Sequence, residues 1–249
     1  RQRQMCIRDS YSLSPYTLEE VVARNYLIGE RPDAIINIID GTNLERNLYL
    51  STQIIELGIP VVMAVNMMDV VRKSGDKIDI KALSNALGCE VVEISALKGE
   101  GIKEAADKAV AAAKAKKAVA RVHKFDDAVE AAIDAVEAKL DDSVAEAQKR
   151  FFAIKVLEKD SKIGDQLKVI PDVSAEIKTL EDKFDDDTES IVTSERYAYI
   201  SSIIGKCLKK AKSGKKLSVS DKIDKIVTNR ILALPIFCLL YTSDAADEL

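Results

Sequence analysis

The chain has 249 residues, 47% of them hydrophobic, 31% charged and 5% aromatic, with no Trp and a formal net charge of −4. That is enough apolar content for a sizeable core in one large domain or two smaller ones, and the Ala, Lys, Glu and Asp content favours a soluble, helix-heavy protein. The negative balance excludes a general attraction to nucleic acid. Four scattered cysteines (Cys6, Cys89, Cys207, Cys238) and a lone His123 exclude a disulfide scaffold, give no metal-ligand spacing and point to a reducing, cytosolic compartment.

Residues 1–10 (RQRQMCIRDS) and 238–249 (CLLYTSDAADEL) resemble translated sequencing-adaptor read-through rather than natural termini, and the fold is expected between them. Thr17-x-x-Glu20 predicts a capping box opening a helix over Leu18 to Ile28. Ala34 to Asp40 (AIINIID) is a continuous apolar run, as expected of a strand buried on both faces. Asn43 is expected to cap a helix that runs to Leu57. Pro60 to Val65 is the next buried strand, a short helix near Lys81 to Leu87 ends at Gly88, and Glu90 to Ile94 is a third strand. An Ala/Lys helix from Gly101 to about Ala120 closes this region. Strands alternating with helices at this spacing predict a parallel sheet with right-handed crossovers.

From about His123 the pattern is helical throughout. Phe125, Val129, Ile133, Val136 and Leu140 recur at helical spacing, and further helices fit Gln148 to Glu158, Ser174 to Phe184 and Thr188 to Lys210. No strand-like run appears here. The Asp185-Asp186-Asp187 run reads as solvated surface, and His123, Tyr197, Tyr199 and Cys207 read as packing residues. Between Lys209 and Arg230 lie eight Lys/Arg against two acids, and the eleven residues Ile231 to Tyr241 carry no charge. A span needs about 20 apolar residues, so this run is read as the first turns of a transmembrane helix with a basic cytoplasmic flank, against the alternative of a buried hydrophobic end.

The residues that carry chemistry lie at two adjacent strand ends. Asn66-Met67-Met68-Asp69 follows the second strand, and 26 residues after Asp69 comes Ser95-Ala96-Leu97-Lys98-Gly99. An Asn amide can donate and accept at the major-groove edge of a purine, and an Asp carboxylate can accept from N1 and the exocyclic amine of guanine, a donor pair that adenine lacks. The Ser-Ala turn brings a backbone N–H toward the guanine carbonyl, and other bases leave these buried polar groups unpaired. Asn-x-x-Asp alone is a common turn sequence. A second copy, Asn37-Ile38-Ile39-Asp40, serves as a control: Asn37 falls in mid-strand, while Asn66 and Asp69 straddle a strand end, where open α/β sheets bind ligands.

Three stretches carry a family resemblance. Ser12-Leu13-Ser14-Pro15-Tyr16, continuing through Thr17-Leu18-Glu19-Glu20, resembles the switch II region of FeoB-type ferrous iron transporters. Asp40-Gly41-Thr42-Asn43-Leu44-Glu45-Arg46-Asn47-Leu48-Tyr49-Leu50 is similar to another stretch of that family. Ser220 to Arg230 with Ile231 to Phe237 is similar to the segment that leads into its membrane domain. Met67 stands where most GTPases have Lys, as is frequent in this family.

The resemblance implies an α/β, partial P-loop-type GTPase domain (parallel sheet with helices) over residues 11–120. It further implies an all-helical domain resembling a nucleotide-dissociation inhibitor over 121–217, and a juxtamembrane segment with the start of a transmembrane helix over 218–237. Asn66, Met67, Asp69, Ser95, Ala96 and Leu97 would bind GTP, and Ser12 to Tyr16 would be a switch II remnant. No Gly-x-x-x-x-Gly-Lys-Ser/Thr occurs in the 249 residues, so the family's triphosphate and Mg²⁺ contacts are expected outside them, and no metal ligands are expected within. The implied partners are a guanine nucleotide, the protein's own membrane domain and Fe(II) as cargo. The implied location is the cytoplasmic face of a bacterial or archaeal plasma membrane. A free-standing GTPase with a helical partner-binding domain, or a non-enzymatic interaction module, are the alternatives.

Overall fold

A strand reading Ile-Ile-Asn-Ile-Ile-Asp puts apolar side chains on both faces. The computed structural model describes residues 12–13, 17–115, 123–141, 143–167 and 169–210. Its first part runs α1 (Leu18–Gly29), β1 (Ile35–Asp40), α2 (Leu44–Glu56), β2 (Val61–Asn66), α3 (Met68–Ser74), β3 (Lys77–Ile78), α4 (Ile80–Leu87), β4 (Glu90–Glu93) and α5 (Ile102–Ala115). Strands β1, β2 and β4 form a parallel sheet in that order, with Ile35 opposite Val61 and Val62 opposite Glu90. The central strand β2 is buried from Val61 to Val65.

The two sheet faces have different cover. Val62, Ala64, Val92 and Ile94 meet Ala105 and Ala109 of α5. On the other face Ile39, Met63, Val65 and Val91 join a core that continues through α2 into the helical part. The expectation that this strand is buried on both faces fails for β1: it stands at the end of the three-strand order, and Ile36 and Ile38 stay 43% and 59% exposed. Asn37 is buried, its amide donating to Ser51 Oγ at 2.8 Å, so the control copy of the motif is a packing residue.

The second part contains α6 (Asp127–Lys139), α7 (Lys149–Leu157), α8 (Ser174–Phe184) and the long α9 (Thr188–Cys207). Helix α6 packs on α7 and α8, while α9 lies against α2 and α4 of the first part as well as α7 and α8. The amphipathic faces therefore do not close on each other alone. They share one core with the sheet, and the residues up to Lys210 form one compact unit. Its buried guanidinium groups, Arg196 and Arg24, are each paired with a carboxylate. Arg196 of α9, fully buried, donates to both carboxylate oxygens of Glu56 at 2.7 and 2.8 Å. Arg24 of α1 meets Asp160 at 2.6 Å with both side chains out of water. An unpaired buried guanidinium would cost several kcal/mol, which is why each has a carboxylate.

Some expectations need correction. The helical part does contain a strand: β5 (Leu208–Lys209) pairs antiparallel with β3, Ile78 opposite Leu208, and α9 ends at Cys207 rather than Lys210. Asn43 occupies the N-cap of α2 without a side-chain cap bond, because its backbone (φ −138°, ψ 59°) is not in the usual cap conformation. By contrast Thr17 caps α1, accepting from the Glu20 amide at 3.2 Å. Asp185 closes α8 in the left-handed region and Asp187 caps α9, accepting from the Ser190 amide at 2.7 Å. Both lie on the exposed surface, as read. The adaptor-like strings, Ser14 to Tyr16, residues 116–122 and the basic and apolar stretches from 211 on lie outside the described residues. Among the described residues no helix is long and apolar enough to cross a membrane.

Candidate nucleotide-binding site

Asn66 ends β2, and Met67 takes a left-handed turn (φ 61°) that starts α3 and sets Asp69 in its first turn. Next to it, β4 ends at Glu93 and the chain folds back in a short loop. Ser95 and Glu100 pair through two backbone hydrogen bonds, each 3.1 Å, and Lys98 N–H donates to Ser95 O at 3.1 Å. The return requires Gly101, whose φ is 73°. A Cβ there would sit 2.1 Å from the Glu93 carbonyl oxygen, so no other residue fits without moving the loop.

Two contacts join the strand ends. The Asn66 side-chain oxygen accepts the Ala96 amide at 3.0 Å, leaving its NH₂ group as a donor. Ser95 Oγ, fully buried, donates to Asp69 Oδ1 at 3.0 Å. That bond, with help from the helix-start amides of Asp69 and Val70, holds the Asp69 carboxyl below the usual carboxylate range. Asp69 is thus a fixed, ionised acceptor. Beside these polar groups two apolar side chains stand in solvent, Met67 at 43% and Leu97 at 90% exposure. A planar base edge-bonded to Asn66 and Asp69 has such side chains available to cover its faces.

The sequence-predicted set is therefore brought together at one edge of the sheet: Asn66, Met67, Asp69, Ser95, Ala96 and Leu97. The segment expected to be a switch II remnant is described in part, at Ser12 and Leu13. Ser12 Oγ donates to Glu20 at 2.8 Å, and the buried Leu13 donates its amide to Gln53 Oε1 at 2.6 Å, tying the segment to α1 and α2. His123 proves a packing residue, stacked on Tyr199 at 4.1 Å and tilted on Phe125 at 4.1 Å. Its Nδ1 does lie 3.8 Å from Glu56, a carboxylate far from it in sequence. Among the described residues no three His, Cys, Asp or Glu side chains are grouped to hold a metal ion. At these two strand ends the Asn66 NH₂ group is left as a donor and the Asp69 carboxylate as an acceptor, the two kinds of group that a guanine edge requires.

Sequence reasoning missed Arg72, which reaches from α3 to Glu93 and Glu100 in the loop that carries Ser95. The signal was available, since Arg72 lies three residues after Asp69 on the same helix face.

Comparison with known proteins agrees with this arrangement. The description "Ferrous iron transport protein B" matches residues 3–109, beginning within the N-terminal string set aside above, and "FeoB cytosolic helical domain" matches residues 125–209. The chain is 36% identical over 245 residues to the Fe(2+) transport protein A/Fe(2+) transporter FeoB fusion protein of Porphyromonas gingivalis, covering 92% of this chain and 29% of that protein. It is 34% identical over 236 residues to the Fe(2+) transporter FeoB of Escherichia coli K12, covering 92% and 30%. It thus spans less than a third of the length of these relatives.

Among solved structures, a mutant of the S. thermophilus NFeoB bound to GDP is 42% identical, with a TM-score of 0.76 over 80% of this chain and 78% of that one. NFeoB from S. thermophilus bound to GDP.AlF4- and K+ is 44% identical, with a TM-score of 0.70 over 78% and 77%. The sheet and the helical part are together those of one family, and the chain belongs to it: the FeoB ferrous iron transport proteins.

Proposed function

We propose that this chain is the guanine-reading and regulatory cytosolic portion of a membrane ferrous iron importer, in which GTP binding and hydrolysis regulate Fe(II) uptake. The observation that carries the reading is the paired contact of Asn66 with Ala96 and of Asp69 with Ser95, which presents a donor and an ionised acceptor at one sheet edge. Asn66 meets the major-groove edge of the base, Asp69 accepts from N1 and the exocyclic amine, and the Ala96 region faces the guanine carbonyl. Met67 and Leu97 cover the ring. The chemistry supported by these residues stops at base recognition. In the intact transporter the triphosphate and Mg²⁺ are held by elements outside them, and hydrolysis depends on those elements.

The relatives named as Fe(2+) transporters, aligned over 92% of this chain, favour the importer over a free-standing GTPase. In that setting the basic stretch from Lys209 to Arg230 lies on the cytoplasmic face, and Ile231 onward enters the bilayer as the first span of the protein's membrane domain.

Base recognition is testable on the chain itself. Guanosine monophosphate added at millimolar concentration, about −4 kcal/mol, should shift the backbone amide resonances of residues 66–69 and 95–97. Adenosine monophosphate should not. Equal shifts with both nucleotides, or none with either, sink the reading.

A further inference from the structure

The contacts around the strand ends form a closed ring. Asp69 is held by Ser95, Ser95 is paired through its backbone to Glu100, Glu100 meets Arg72 at 3.6 Å, and Arg72 lies on the same helix as Asp69. Arg72 also donates to Glu93 at the end of β4, just ahead of the loop. One guanidinium thus grips both legs of the 94–101 hairpin from the helix that carries the base-reading carboxylate. The Asp69–Ser95 and Asn66–Ala96 bonds hold the loop from its Ser95–Ala96 side, and Arg72 adds a fastening at its base, where the two legs meet the sheet.

From this ring we infer that Arg72 is a positioning residue for guanine recognition: it sets the height of the Ser95–Ala96 loop over α3 and so the direction in which the Asp69 carboxylate and the Asn66 NH₂ group, which that loop holds, are presented. The inference rests on the base-reading role of Asn66 and Asp69. Arg72 itself touches no base. Its side chain is 55% exposed and its partners Glu93 and Glu100 are 35% and 53% exposed, so the clamp is open to solvent ions. Two consequences follow from that exposure. The pair adds little to global stability, because exposed ion pairs offset Coulomb gain with side-chain ordering and screening. Its effect on the loop is salt-dependent, fading as the screening length falls from about 10 Å at 0.1 M to about 3 Å at 1 M. Guanine affinity in this chain should therefore weaken with salt even for a ligand bound through its neutral base.

The test is a titration of the wild-type chain and of Arg72→Ala, Arg72→Lys and Arg72→Glu with guanosine, followed by amide shifts at Asn66, Asp69 and Ala96, at 0.05 and 0.5 M salt. Inosine, which lacks the exocyclic amine, is the comparison ligand. The wild type should bind guanosine more tightly than inosine and lose part of that preference in high salt. Arg72→Ala should bind guanosine about three- to five-fold more weakly in low salt, with little further salt effect and an unchanged melting temperature. Arg72→Lys should recover part of the loss, and Arg72→Glu, facing two carboxylates, should be weaker than Ala. If the wild type binds guanosine selectively and Arg72→Ala keeps its affinity, its preference over inosine and its salt response, the clamp is overturned while base reading stands. If the wild type shows no guanosine-dependent shift, the base assignment fails and the clamp with it.

Discussion

The Ser95 hydroxyl donates to Oδ1 of Asp69 at 3.0 Å, although 26 residues separate the two in sequence. The bond fixes the carboxylate by its side oxygen and leaves its orientation dependent on a neighbouring loop. Replacing Asp69 by Asn keeps the shape and exchanges an acceptor for a donor. Asp69→Asn should weaken guanine binding by about ten- to a hundred-fold, the range for a hydrogen bond to a charged group. It should relatively favour xanthine, whose C2 carbonyl accepts. Parallel titrations with guanine and xanthine nucleosides check this, and an unchanged preference refutes the role given to Asp69.

Ser95→Ala removes the main cause of the depressed Asp69 carboxyl. In the variant the Asp69 carboxyl should titrate at higher pH than in the wild type, read from its side-chain ¹³C shift. The sign follows from linkage: a carboxylate depressed in the fold adds stability above its unfolded value and loses it as the pH falls through the folded one. The wild-type chain should thus keep an advantage over Ser95→Ala at neutral pH that disappears in acid.

Gly101 holds the loop return with φ 73° and a Glu93 carbonyl where a side chain would start. Gly101→Ala should cost about 1–3 kcal/mol from the strained backbone alone and should abolish the guanine-dependent shifts of Ala96. Thermal melting and the same titration measure both. A variant with normal melting and normal shifts would mean that the loop does not need this backbone.

Arg196 and Glu56 form a buried, two-point link between α9 and α2. Burial pushes the Glu56 carboxyl up, but the Arg196 guanidinium and the His123 ring outweigh it and bring it from 4.5 to about 2. The ionised pair therefore stabilises the fold above the unfolded value of 4.5, and that stability is lost as the pH falls toward about 2. Arg196→Met should destabilise by about 3–5 kcal/mol because it strands a buried carboxylate. Arg196→Met with Glu56→Leu should recover most of the loss, since apolar replacement of both partners is often close to neutral. Denaturant unfolding of the three proteins separates these outcomes.

The parts of the fold that could be read from the sequence are those whose periodicity is local. The strands β1 and β2 are β-branched runs, α8 was bounded correctly from its apolar spacing, and the Asn66/Asp69 and Ser95/Ala96 pairs announce themselves at strand ends. Helix α3 escaped because seven residues hold barely two turns of pattern. The β3–β5 pair escaped because two residues carry no alternation. The shared core was not legible either. An apolar face on α9 says that something covers it, but not that α2 and α4 do. The Arg196–Glu56 pair was not legible either, because pairing across 140 residues leaves no trace in either neighbourhood.

The short β3–β5 pairing also makes α9 a lever with a fixed end. Helix α9 has 20 residues, about 30 Å at 1.5 Å per residue. Its last turn is pinned by the Cys207 carbonyl, which accepts the Asp79 amide at 2.8 Å, and by the two pairs Lys77 with Lys209 and Ile78 with Leu208. The polypeptide leaves this unit at Lys210 from that seam. Tension applied along the chain beyond Lys210 would bear first on β3, the link between α3, which carries Asp69, and α4.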